Sequence, residues 1–481
     1  MRRGHFINGR ERARNGECFE VLNPATRTVM GQAARGSDAD IDRAVESARQ
    51  AQPRWWNLSP GERERILLRC ADHLETHSDS LIEPLLQESG STLSKANFEA
   101  GYAPSLLRAA AGEARRLYGD TLPHDRPDRM SLVLREPIGV VGVISPFNAP
   151  LALLIKMVAF PLAAGNTVVA KPSEHTPLVA IQLAELLHEA GLPEGVFNVV
   201  TGFGSDCGER LVEHPHVGGI AFTGSTAVGS IIGAEATRRM KRVQLELGGK
   251  NPVIVLSDID PHEAAAQVAV GAFFHGGQIC MSGSRVIVES SIFEDFTDAL
   301  VAEAEQLQLG GLRDPDTAYG PLICQDAINR VDGHVQEAVA EGAVLRTGGF
   351  VYDGWTYAPT VLVEPPLHSR VWREETFGPV VSVVAVPDIE VAIELANDTE
   401  YGLSAAVLSH DLIRGMHAAR RLRSGAVHLG MHPFQSNTMA PVGGVGASGL
   451  GRSGGRYSVE HFTELKWISL AVGSPPAAEF E

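Results

Sequence analysis

Residues 139–174 read GVVGVISPFNAPLALLIKMVAFPLAAGNTVVAKPSE. The run GVVGVIS (139–145) is β-branched without alternation, as a strand buried on both faces requires. A helical stretch follows to about Ala164, then a second unalternating run, TVVAK (167–171). The rhythm continues through helix 177–190, VFNVVT (196–201), helix 204–213, GGIAFTG (218–224), helix 226–239 and RVQLEL (242–247). Strand–helix alternation at this pitch implies right-handed crossovers and a parallel sheet, so the fold class is α/β.

A second alternating set begins at PVIVLS (252–257) and runs to about Val427. It includes RVIVES (285–290), a helix near 291–308, VVSVVAV (380–386) and LSAAVLS (403–409). Upstream, Ser59 to Arg116 repeats apolar residues at helical spacing. The Pro/Asp-rich connector DTLPHDRPDRM (120–130) then leads into SLVLREP (131–137), which alternates like an exposed strand. The tail FTELKWISL (462–470) is strand-like and lies beyond the compact units, so it needs a sheet to join, such as a neighbouring subunit's.

A chain of 481 residues with 44% apolar and 21% charged residues is globular and divides into two or three domains. Its net charge of -17 argues against nucleic acid or an anionic membrane surface as partner. Five scattered cysteines (Cys18, Cys70, Cys207, Cys280, Cys324) show no zinc spacing, and a reduced cytosol suits them. No metal site is expected. The basic start MRRGHFINGR runs into polar sequence rather than the apolar core of a signal peptide. The apolar stretch Ala149–Ala170 is interrupted by Lys156, Pro161 and Gly165-Asn166, which marks a buried helix and strand rather than a membrane span. The expectation is a soluble cytoplasmic protein.

Gly449-Leu-Gly451-Arg-Ser-Gly454 matches GxGxxG, but no apolar strand precedes it and no clear helix pattern follows, so it reads as a glycine-rich turn. Strand ends make a better nucleotide case, since ligands bind at the carboxyl ends of parallel strands. The first strand runs into Ile144-Ser145-Pro146-Phe147-Asn148, the second into Lys171-Pro172-Ser173-Glu174, and the fourth into Phe222-Thr223-Gly224-Ser225 ahead of Val228-Gly229. Glu174 could take the ribose hydroxyls of an adenosine and repel a 2′-phosphate, favouring NAD over NADP. Gly224 and Ser225 at a helix N-terminus offer N–H groups to a pyrophosphate. A solvated Lys171–Glu174 pair and a plain helix cap would explain the same residues without a ligand.

Cys280, in HGGQICMSGSR, is flanked by small and polar residues, which suits a thiol on a close-approach loop; a small buried hydrophobe is the bland alternative. Glu246, between Leu245 and Leu247, is a solvent-face residue or a base in an apolar cleft. Asn148 could be only a turn asparagine. His214-Pro-His216 looks like a surface turn. The absence of GxSxG, HExxH and Walker A patterns counts against serine hydrolases, zincins and P-loop NTPases.

Taken together, GVVGVISPFNAPL, GNTVVAKPSE, FTGSTAVG, LELGGKNP, GGQICMSGSR, EETFGPVVSV and PVGGVGASGLGR resemble the aldehyde dehydrogenase superfamily along nearly the whole chain. The resemblance implies Cys280 as nucleophile, Glu246 as general base and Asn148 as oxyanion-stabilising amide. It implies NAD contacts at Ile144, Ser145, Pro146, Phe147, Lys171, Ser173, Glu174, Gly204, Phe222, Gly224, Ser225, Val228, Gly229, Leu247, Glu375 and Phe377. A substrate tunnel would be lined by Ala149, Leu153, Ile279, Met281 and Phe434. The implied architecture is a Rossmann-like NAD-binding domain (1–117 and 138–247), a catalytic domain (248–447) and an oligomerisation segment (118–137 and 458–481) that builds a homodimer or homotetramer.

The chain departs from the common pattern. Phe147 stands where many relatives carry Trp, Ala149 where many carry Phe, Gly430 where an Asn is frequent and Gly446 where a Lys is frequent. A small Ala149 would widen the tunnel beside Asn148. SPFN, GQICMS and GGVGASG resemble the branch of benzaldehyde, vanillin and salicylaldehyde dehydrogenases, so an aromatic or bulky apolar aldehyde is expected. The stretch 428–440 (HLGMHPFQSNTMA) should lie near the tunnel mouth. A CoA-acylating or aliphatic semialdehyde relative, a thiol esterase and a non-catalytic scaffold are the alternatives. Glu246 speaks against CoA acylation, and an esterase would need neither Glu174 nor Gly224-Ser225.

Overall fold

Unalternating apolar strands need cover on both faces, and helices on either side of each sheet supply it. A computed structural model of the chain describes residues 2–12 and 17–472. After short N-terminal strands between residues 2 and 34, four helices follow: α1 (Asp38–Trp56), α2 (Pro60–Thr76), α3 (Asp79–Ser89) and α4 (Leu93–Glu113). The helical expectation for 59–116 thus resolves into three segments, broken at Gly90, whose left-handed backbone caps α3. The sequence reading did not register α1, whose Ser37–Asp40 capping box starts it.

The first sheet is built from β1 (Val140–Ile144), α5 (Pro150–Ala163), β2 (Thr167–Lys171), α6 (Pro177–Glu189), β3 (Phe197–Val199), β4 (Val217–Thr223), α7 (Thr226–Arg238) and β5 (Arg242–Glu246). The five strands are parallel neighbours in the order β5-β4-β1-β2-β3. The chain therefore leaves β1 toward β2 and β3, then returns to the opposite side of β1 with β4 and β5. That reversal opens a crevice between the carboxyl ends of β1 and β4, the place where open parallel sheets bind ligands. His5–Ile7 adds an antiparallel strand beyond β3.

The second sheet has seven strands, with β6 (Asn251–Val255) between β7 (Gly283–Glu289) and Ser404–Leu408, and Thr360–Val363, Val380–Val386 and Ala426–Leu429 further out. Leu247-Gly248-Gly249-Lys250 passes from β5 into β6, linking the two sheets in four residues.

Four expectations change. The tail strand, Thr463–Ala471, pairs with Arg129–Pro137 of its own chain along nine residues, so it needs no neighbour for its first edge. The connector contributes a third strand to that sheet, Asp120–Leu122, and residues 473–481 lie outside the described part. Gly449–Leu450 is a two-residue strand antiparallel to β5, and a helix, Gly455–His461, does follow it; the motif borders the sheet as an edge rather than opening a crossover. His214 turns its ring into the protein and is buried, although the segment is a turn. No helix among the described residues is long and apolar enough to cross a membrane.

Candidate active site

Asn148, Glu246 and Cys280 come from three elements and line one cleft of about 840 Å³. The sequence sets this meeting at the LGGK turn. A Cβ on Gly248 would lie 2.3 Å from a Glu375 oxygen, and one on Gly249 would lie 2.9 Å from the Cys280 carbonyl. Only glycines let these groups approach. Asn251, the next residue but one, donates through Nδ2 to the Cys280 carbonyl at 2.9 Å and the Ser282 carbonyl at 2.8 Å, pinning the cysteine loop to β6. The loop enters through left-handed residues His275, Gly276 and Gly277. A Cβ on Gly277 would meet the Gly378 carbonyl oxygen at 2.1 Å.

Cys280 is partly exposed at the cleft. Desolvation first, then the negative charges of Glu246 and Glu375, push its thiol up to about 12, against a smaller pull from Lys156. Glu246 is buried, with Oε1 lying 3.5 Å from the Lys156 ammonium and accepting no hydrogen bond. A carboxylate oxygen that accepts no hydrogen bond, in the cleft it shares with the thiol, is where a water can be held and deprotonated. Asn148 is buried, and Nδ2 donates to the Gln278 carbonyl at 2.9 Å. That bond spends one of the two amide protons and leaves the other for an oxygen above Cys280.

The tunnel residues named from sequence, Ala149, Leu153, Ile279, Met281 and Phe434, all line this cleft, with Gln435, Ser436 and Asn437 from the stretch expected at the mouth. Two aromatic pairs flank it: Phe98 and Tyr102 stack at 5.5 Å, Phe274 and Phe434 at 5.4 Å. The sequence reading missed Lys95, Phe98, Glu99 and Tyr102 of α4, and Lys156 of α5. Lys156 did leave a signal, as the single charge in an otherwise apolar helix. Lys95 and Glu99, four apart on α4, are both buried.

The nucleotide candidates gather at the crevice between β1 and β4. Ile144 and Ser145 are buried at the end of β1, Pro146 and Phe147 are half-exposed, and Phe147 meets Phe377 edge-on at 5.9 Å. Lys171 is buried; its Nζ donates to the Pro172 and Gly202 carbonyls at 2.8 and 2.9 Å and lies 3.7 Å from Glu174. A solvated surface pair is thereby excluded for the lysine. Ser173 is buried beside them, and a Cβ at Gly204 would meet open space. Phe222 and Leu247 are buried, and Leu247 fills the place a Gly229 side chain would take.

One expectation fails in detail. The Gly224 N–H is spent on the Glu246 carbonyl at 3.1 Å, and that of Val228 on the Ser225 hydroxyl at 3.4 Å. The start of α7, from Ser225 to Ala227, is left to face an anion. Glu375, also at the LGGK turn, is half-buried and pushed up to about 7 by desolvation, and among the described residues its carboxylate accepts from the Gly249 N–H alone, at 3.2 Å. A sparsely satisfied carboxyl there can take donors such as sugar hydroxyls.

A cysteine and a carboxylate share a cleft beside a switch-point parallel sheet and a second α/β sheet, the kind of pocket that marks a candidate active site. Comparison with known proteins gives the family. The chain belongs to the aldehyde dehydrogenase family, whose sequence model matches residues 11–468, and its activity class is the oxidation of aldehydes. It is 40% identical over 464 residues to a vanillin dehydrogenase of Pseudomonas fluorescens, covering 96% of both chains. It is 37% identical over 473 residues to a glutarate-semialdehyde dehydrogenase of Pseudomonas putida, covering 98% of both. Among solved structures, an NAD-dependent aldehyde dehydrogenase from Sinorhizobium meliloti superposes with a TM-score of 0.96 at 37% identity, over 99% of this chain and 96% of that one.

Proposed function

We propose that this chain oxidises an uncharged aromatic or bulky apolar aldehyde to the free acid with NAD. The observation that carries the substrate class is the cleft wall. Phe98, Tyr102, Phe274 and Phe434 flank it, Ala149 and Leu153 line it, and no arginine is among its residues. Its two lysines are already committed, Lys95 to Glu99 and Lys156 to Glu246. A semialdehyde with a distal carboxylate would enter such a cleft without a cation to meet it, and an unpaired buried charge is costly. The vanillin dehydrogenase relative, 40% identical, supports the aromatic reading alongside the wall; the glutarate-semialdehyde relative is 37% identical.

The Cys280 thiolate adds to the aldehyde carbonyl carbon, and the resulting oxyanion accepts hydrogen bonds from the free Asn148 amide N–H and the Cys280 backbone N–H. The bound dinucleotide supplies the hydride acceptor. Its residues fit that group: the start of α7 for the phosphates, Glu174 for the adenosine ribose and Glu375 as a hydroxyl acceptor. Glu174 also supports NAD over NADP through repulsion of a 2′-phosphate. Loss of the adduct's C–H as hydride to that acceptor would leave a thioester on Cys280. Glu246 takes a proton from water, whose oxygen attacks the thioester carbon; the C–S bond breaks, and the acid leaves with the Cys280 thiolate restored. We assign residues 1–117 and 138–247 to the cofactor domain, 248–447 to the catalytic domain, and 118–137 with the tail from 458 to an oligomerisation arm.

NADH formation tests the reading, with benzaldehyde-type, short aliphatic and carboxylate-bearing aldehydes, NAD or NADP, and Cys280→Ala alongside. Preference for uncharged aromatic substrates with NAD, lost in the variant, is the expected result. Preference for carboxylate-bearing aldehydes would overturn the substrate class, and undiminished turnover in Cys280→Ala the chemistry. The arm leaves Leu134, Leu465 and Trp467 exposed and, among the described residues, the outer edge of Thr463–Ala471 unpaired. Removing residues 460–481 is expected to lower the mass found by light scattering, and an unchanged mass would refute the assignment.

A further inference from the structure

The oxyanion amide of Asn148 hangs on a helix start that lacks its own cap. Ala149 stands at the N-cap of α5 and has no side chain to accept the first-turn N–H groups. Both are taken by a different helix. Glu99 of α4 accepts from the Leu151 N–H at 3.2 Å and the Ala152 N–H at 3.1 Å through Oε2. Its other oxygen accepts from Lys95, whose ammonium also donates to the Ser91 hydroxyl at 2.9 Å; Ser91 in turn lies 2.7 Å from the Ser89 hydroxyl. Glu99 and Lys95 are 1% and 2% exposed, so neither is a surface pair, yet both line the cleft beside Asn148.

We infer that Glu99, charge-balanced by Lys95, is a positioning residue for the reaction: it caps α5 across the helix interface and so fixes where Asn148 presents its free amide proton. The lysine keeps a bare carboxylate from facing the oxyanion that Asn148 receives. This rests on the oxyanion role proposed for Asn148.

The test is a double-mutant cycle on kcat in the NAD-loaded enzyme, with benzaldehyde as substrate. Asn148→Ala should lower kcat about 100-fold or more, the loss seen on removing one oxyanion donor. Glu99→Gln weakens the cap to a neutral acceptor and should lower kcat about tenfold with KM little changed. Combined, the two should lower kcat no further than Asn148→Ala alone, because a cap with nothing to position has no effect on the rate. Independent, multiplying losses would overturn the inference while leaving the Asn148 reading intact. An unchanged kcat in Asn148→Ala would overturn both. Should Glu99→Gln fold poorly, Lys95→Met/Glu99→Gln removes both charges together and avoids a lone buried ion. Amide exchange at Leu151 and Ala152 should quicken in either variant, and unaltered exchange would also overturn the inference.

Discussion

The Cys280 thiol should be almost wholly protonated in the enzyme without dinucleotide. Its value of about 12 comes from desolvation, then from the like charges of Glu246 and Glu375, with Lys156 opposing weakly. At pH 7.5 that leaves about one thiolate in 30,000 molecules, and at pH 9 about one in 1,000. Only the thiolate is alkylated, so the rate of iodoacetamide labelling should climb about tenfold per pH unit from 7 to 10 without a plateau. The rate must be followed on the Cys280 peptide by mass spectrometry, because Cys18 and Cys324 are also partly exposed. Glu246→Gln removes a neighbouring negative charge and should shift the profile to lower pH; Lys156→Met should shift it higher. A plateau between pH 6 and 8 would refute the reasoning, since it would mean that the positive field at the sulfur outweighs burial.

Three further outcomes are expected. Tyr102 is half-buried in the cleft and its hydroxyl makes no hydrogen bond among the described residues, so Tyr102→Phe should raise KM about three- to tenfold for ring-hydroxylated benzaldehydes, one hydrogen bond's worth, and leave benzaldehyde unchanged; equal effects on both would count against it. Gly277→Ala should destabilise the chain by about 1–3 kcal/mol in urea unfolding and lower kcat, because its left-handed backbone packs on the Gly378 carbonyl; a fully active, equally stable variant would be decisive against that. Burial holds the His334 imidazole neutral, down to about 3. The unfolded chain protonates that histidine near 6.5, so it binds more protons than the folded chain at lower pH, and stability present above pH 6.5 is lost as pH falls toward 3. At pH 5 the loss is up to about 2 kcal/mol, and His334→Gln should flatten this limb of the urea-midpoint profile; an unchanged limb would assign the acid sensitivity elsewhere.

Strands such as Thr167–Lys171 and Val380–Val386 were legible to the residue because both faces are buried, and uniform burial writes an unbroken apolar run. The arm was half legible: alternation marked 131–137 as an exposed strand and the resemblance grouped it with the tail, but pairing across more than 300 residues leaves no local trace, so only the fold shows the two side by side in one chain. The cleft divides along the same line. Cys280 and Asn148 sit in glycine- and proline-rich turns, and Glu246 ends a strand that runs into one; their composition reflects close backbone approach, and sequence records that directly. Lys95 and Glu99 do not, because an i,i+4 pair is written identically whether water or a second helix covers it. What distinguishes them is the start of α5, fifty residues on, where alanine occupies a position that ordinarily asks for serine, threonine or aspartate. A missing cap is a local deficit in sequence that requires a donor-satisfying group from elsewhere in space. At the head of α6 the sequence does offer a capping residue, Thr176, but its side chain caps nothing in the fold, and Glu88 accepts from the Leu178 and Val179 N–H groups at 2.9 and 2.7 Å instead. Two glutamates eleven residues apart on the α3–α4 hairpin thus hold the starts of the two helices that follow β1 and β2, and both helix starts lie next to the residues assigned to chemistry and cofactor.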